Sequence, residues 1–83
     1  MKLPKSIRET SGVREYLQSR NLLSQYQKNK NYIIYGISGS TDFKKRKPNG
    51  SGMWSFRITK KFRAIGYFDQ EGDFIVTMID DHQ

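Results

Sequence analysis

Residues 53–68 read MWSFRITKKFRAIGYF, and their alternation sets the frame for the rest of the chain. Side chains of an extended strand point alternately to its two faces, so Trp54, Phe56 and Ile58 share one side while Ser55, Arg57 and Thr59 share the other. Phe62–Phe68 resumes an extended pattern after Lys60 and Lys61, which predicts a β-hairpin. The register is open at this level. A three-residue loop, Thr59-Lys60-Lys61, places Arg57 opposite Arg63; a two-residue loop places it opposite Ala64 and sends Arg63 to the other face. Lys-Lys lacks the glycine or asparagine that selects a tight primed turn.

Working outward, Asp69-Gln-Glu-Gly72 reads as a turn, and FIVTMI, residues 74–79, as a well-buried strand rich in β-branched side chains. On the other side, Asp42–Lys47 is a weak extended segment, joined to the hairpin through Pro48-Asn49-Gly50-Ser51-Gly52. The first half of the chain has a different period. Val13, Tyr16 and Leu17 follow helical spacing, and Leu23, Tyr26, Ile33 and Ile34 continue the apolar stripe. The spacing predicts two helices broken near Ser19-Arg20-Asn21, with Asn21 capping the second and Gly36 ending it. MKLPKSI at the start fits a short edge strand, where Pro4 is tolerated. The whole predicts an α+β class: one small domain, residues 1–83, with a helical hairpin over 11–36 packed on a twisted, mainly antiparallel sheet of three to four strands over 42–81.

With 83 residues and no cysteine, the chain is limited to a small core without disulfides, thiolate metal sites or a thiol nucleophile. These features predict a cytoplasmic protein with no membrane partner. Its formal charge of +7 attracts polyanions, and the charge is segregated. All 15 Lys and Arg lie at or before Arg63, whereas Asp69, Glu71, Asp73, Asp80 and Asp81 follow it. Between Lys44 and Arg63 the basic residues Lys44, Lys45, Arg46, Lys47, Arg57, Lys60, Lys61 and Arg63 stand with no acidic one among them.

The catalytic inventory is short. His82 is the single histidine, and the neighbours Asp80, Asp81 and His82 point in different directions along a strand, so no metal or other cofactor is expected. GISGST, residues 36–41, has neither the lysine nor the spacing of a phosphate-binding loop, and its serines read as turn residues. What remains is a basic hairpin and one histidine. Metal-free RNA cleavage needs a base for the 2′-hydroxyl, cations for the charge growing on phosphorus and an acid for the leaving 5′-oxygen. Arginine suits the second role and histidine suits proton transfer.

The run GMWSFRITKKFRAIGYF, the strand FIVTMI and the ending IDDHQ resemble the RelE/ParE superfamily of toxins from bacterial type II toxin–antitoxin systems. The matching pattern is Gly52, Trp54, Ser55, Arg57 and Ile58, followed by Arg63. The resemblance implies two helices on a twisted sheet whose concave side carries the active groups, and an activity of ribosome-dependent messenger RNA cleavage. In its YoeB-like branch, Arg63 matches the arginine at the scissile phosphate and His82 a proton-transfer histidine. Arg57 is the motif's other arginine and the third catalytic candidate. Lys44, Lys45, Arg46 and Lys47 fall in a segment used toward RNA, where Lys60 and Lys61 add to the field. Gln83 stands where that branch has a terminal tyrosine, and Phe43–Trp54 contains no acidic residue to act as the implied general base, a role for which Asp80 and Asp81 are the substitutes.

The resemblance therefore implies a toxin that cuts messenger RNA on the ribosome, with an antitoxin as partner whose acidic segment covers the basic surface. The alternative is a non-catalytic, ParE-like inhibitor of DNA gyrase or a basic nucleic-acid-binding module.

Overall fold

The computed structural model describes residues 3–37, 41–46 and 50–81. Five strands and two helices follow one another as β1 (Ile7–Glu9), α1 (Ser11–Ser19), α2 (Leu23–Ile34), β2 (Lys44–Lys45), β3 (Met53–Arg57), β4 (Phe62–Phe68) and β5 (Phe74–Asp81). The strands form one sheet in the order β1-β5-β4-β3-β2. All neighbours are antiparallel except β1 and β5, which run parallel.

The α+β class and the helix pair on a sheet agree with the sequence pattern, while the strand count rises from three or four to five. The addition is β1. It takes the edge position expected of the first residues but begins only at Ile7, the last residue of MKLPKSI, where Lys5 N–H donating to Gly72 O and Phe74 N–H to Ser6 O lead into the pairing with β5. A three-residue strand carries little alternation of its own, so its bounds and its parallel partner are set by the long-range pairing.

Helix ends follow from backbone satisfaction. Asn21 does not cap α2. It takes a left-handed φ of 57° just past α1, its N–H donates to Gln18 O, and Leu22 N–H donates to Leu17 O at 2.9 Å. That is a Schellman ending, which satisfies the last carbonyls and buries Leu22 beside Leu17. α2 ends the same way at Gly36, with Gly36 N–H donating to Ile33 O and Ile37 N–H to Tyr32 O.

Both helices cover the face that bears Phe56, Ile58, Ala64, Phe74 and Val76, against Val13, Leu17, Tyr26 and Ile33. Phe43, just ahead of β2, is driven among the aromatic rings of this layer, with centroids 5.1 Å from Trp54, 5.3 Å from Phe74 and 6.0 Å from Phe68. Tyr26 stacks on Phe56 and donates its hydroxyl to Glu9 Oε1 at 2.8 Å; Lys30 Nζ reaches the same oxygen at 3.2 Å. Burial, the hydrogen bond to Glu9 and the negative charge of Glu9 all push the Tyr26 phenol far above its ordinary pKa, so it remains a donor tying α2 to β1.

Between Ile65 and Gly66 the β4–β5 ladder slips by one residue, leaving Thr77 unpaired. Gly66 lies so close to β5 that a Cβ there would strike the Ile75 carbonyl and stand 2.9 Å from Val76 Cα, all backbone atoms that cannot rotate away. Gly66→Ala is therefore expected to destabilise the fold by about 3 kcal/mol, as an overpacked position does. A urea midpoint within error of the wild type would refute this.

Candidate active site on the open face of the sheet

The face opposite the helices is built from three cross-strand rows. Arg57, Arg63 and Asp80 form the first, Lys44, Ser55, Ile65 and Met78 the second, and Met53, Tyr67 and Ile75 the third. The loop at Thr59-Lys60-Lys61 resolves the register: Ile58 N–H donates to Phe62 O, Thr59 Oγ1 accepts from Lys61 and Phe62 N–H groups, and Arg57 lies opposite Arg63. The two arginines thus share one face.

Facing cations repel, and like charges directly across a ladder are destabilising. Asp42 supplies the counter-charge. Its Oδ2 accepts from Arg63 Nη1 at 3.1 Å and lies 3.4 Å from Lys44 Nζ. Asp42 stands one residue ahead of the Phe43–Trp54 segment in which a carboxylate is missing. Three local features aim it. Phe43 is pegged in the aromatic layer, Arg57 N–H donates to Thr41 O at 2.6 Å, and Asp42 itself has φ 51°, a left-handed conformation that aspartate tolerates. Partial desolvation alone would raise the Asp42 pKa, but hydrogen bonds and positive charge from Arg63 and Lys44 outweigh it and hold the carboxyl below its ordinary value of 3.8.

A second determinant approaches from the helix side. Asn29 in α2 is buried, and its Nδ2 donates to Arg57 O at 2.9 Å and to Ile58 O at 2.8 Å. One side-chain amide thereby satisfies the two carbonyls where β3 enters its loop, and it holds the backbone of Arg57 in place.

Of the candidate residues, Arg57, Arg63 and Lys44 meet on the open face. Lys45 pairs with Trp54 on the other side, with its Nζ 5.8 Å from the Trp54 ring. Arg46 continues the edge through a bond from its N–H to Met53 O. Lys60 and Lys61 lie exposed in the loop, and Lys61 reaches Asp81 at 3.8 Å. Asp80 shares the face of Arg63. Lys47 and His82 lie outside the described residues. Among the described residues no group of acidic or histidine side chains is placed to hold a metal ion, and no helix is long and apolar enough to cross a membrane.

No protein-family model matches the sequence, and no curated protein matches it. Solved structures do. A YoeB/ParE toxin from Agrobacterium tumefaciens superposes with a TM-score of 0.65 at 18% identity, covering 94% of this chain and 99% of that one. The fold is that of the YoeB/ParE toxins. A YoeB dimer from Staphylococcus aureus gives a TM-score of 0.68 at 19% identity, and a YoeB–YefM complex from the same organism gives 0.64 at 19%, both over 100% of each chain. The fold implied by the tryptophan strand and its two arginines therefore extends over the helical half as well as the sheet.

Asn29→Ala is expected to cost about 2 kcal/mol or more, because it strands two buried carbonyls. Chemical denaturation measures this, and an unchanged midpoint would show that the tether is dispensable. Asp42→Asn keeps the backbone preference and removes the charge. Since the Asp42 pKa is depressed on folding, its contribution is complete above the ordinary value of 3.8 and is lost as pH falls through the lowered one. The gap in melting temperature between wild type and Asp42→Asn should accordingly close as the solution is acidified below that value; a gap that persists would assign the effect to packing.

Proposed function

We propose that the protein is the toxin of a toxin–antitoxin pair and that it cleaves messenger RNA on the ribosome without a metal. The observation that supports this reading is the grouping of Arg57, Arg63 and Asp42 on the open face, within a YoeB/ParE-like fold. Two guanidinium groups side by side match the oxygens of one phosphate.

In the resting protein Asp42 occupies Arg63. An incoming phosphate competes for that guanidinium, and Asp42 then loses the hydrogen bond that depresses its pKa, which makes it a stronger base. The carboxylate takes the proton of the 2′-hydroxyl, the 2′-oxygen attacks phosphorus, and Arg57 and Arg63 stabilise the charge that accumulates on the non-bridging oxygens. The 5′-oxygen departs with a proton from an acid, the role that the family resemblance implies for His82. The products are a 2′,3′-cyclic phosphate and a 5′-hydroxyl end. Lys44, Lys60 and Lys61 extend the field along the RNA path. An acidic antitoxin segment complements the same surface and shields these groups until it is removed.

In a translating extract, wild-type protein is expected to cut messenger RNA, and Arg63→Ala to slow cutting by about a hundredfold or more, the scale for losing one charge-stabilising donor. Intact messenger RNA together with blocked gyrase supercoiling would replace this reading with the ParE-like one.

A further inference from the structure

The open face beyond the arginine row takes no direct part in the cleavage chemistry, yet it holds the most conspicuous apolar exposure on the sheet. Tyr67 is 41% exposed and Met78 50%, in a chain whose other strand aromatics are packed inward. The register places Tyr67 between Met53 and Ile75, on the same face as Arg57 and Arg63. Tyr67 follows Arg63 by four positions on β4, which is about 13 Å along a strand. Between the two rows Ile65 is 6% exposed and Ser55 1%, while Met78 of the same row is open to solvent; the Ser55 hydroxyl has no hydrogen-bond partner among the described residues.

A ring on the same face as paired cations, two cross-strand rows along from them, suits a flat ligand carrying negative charge. We propose that Tyr67, flanked across the sheet by Met53 and Ile75, is a stacking platform for a nucleobase farther along the strand from the phosphate held by Arg57 and Arg63, in single-stranded RNA. The inference rests on the RNA reading above. Charge complementarity selects this occupant: the cations grip the backbone, the unstacked base needs an aromatic face, and the Met53 thioether across the ladder adapts to its edge. Stacking tolerates any base but favours purines by area, so Tyr67 sets a preference at one flanking position while the arginines set none.

Cut sites are mapped by primer extension in a translating extract at limiting protein. Tyr67→Ala is expected to slow cutting about tenfold and to flatten the base preference at one position beside the cut. Tyr67→Phe should restore both, because the ring and not the hydroxyl does the stacking. Thermal denaturation of the same variants checks that the sheet is intact. If Tyr67→Ala cuts at the wild-type rate and pattern, the platform is overturned and the RNA reading stands. If it cuts normally but escapes neutralisation by the antitoxin, the platform is also overturned and the row becomes a protein-docking surface. If wild-type protein fails to cut at all, the RNA reading falls and the platform with it.

Discussion

The register of the β3–β4 hairpin decides which side of the sheet each polar side chain takes, and it is held from both ends of the loop. Thr59 closes the loop through its hydroxyl, and Asn29 reaches from α2 to the carbonyls of Arg57 and Ile58. A slip of one residue would turn Arg63 into the aromatic layer and bring Ala64 outward, so core burial and the pairing of the arginines are the same constraint seen from two faces. The site is in this sense a by-product of packing: Phe56 and Ile58 face inward, and Arg57 between them faces outward.

Electrostatics then refine what packing arranges. Arg57 and Arg63 would repel if left alone, and a single carboxylate from outside the hairpin relieves the strain. Asp42 is delivered by a short segment whose other side chain, Phe43, is an anchor in the core. Placing the counter-charge on a separate segment lets it be displaced without disturbing the strands. The partial exposure of the Asp42 side chain, 35%, is consistent with an ion pair that exchanges partners rather than one sealed for stability.

The hairpin, the last strand and the helix pair were legible because each carries a long run of its own period. Arg57 and Arg63 were recognisable as a pair, though their shared face depended on a loop that Lys-Lys does not specify. Asp42 has no local signature as a site residue: it borders the acid-free Phe43–Trp54 segment, and its direction comes from a left-handed φ and from Phe43, both of which depend on tertiary packing. Asn29 sits in QKNKN, a stretch that reads as a solvated helix face; only the approach of β3 makes it a buried donor. In the sequence Tyr67 is one more aromatic residue of the extended Phe62–Phe68 run. The bulge at Ile65/Gly66, which lets β5 cross close behind it, is set by the missing Cβ of Gly66 and has no local periodic signature.

The parallel pairing of β1 with β5 has a bearing on how the molecule comes into being. Ile7 finds its neighbour in Phe74, and Glu9, which secures Tyr26 and Lys30, lies beside Val76. The strand that precedes the helices is thus seated by the strand that follows everything else, a connection that closes a long loop and raises contact order. During synthesis the helices and the hairpin can form in turn, but the sheet lacks both its edge and its Asp80 until β5 has emerged. The face that bears the arginines is completed only once β5 has been made, which delays any activity residing there until after the hairpin has formed.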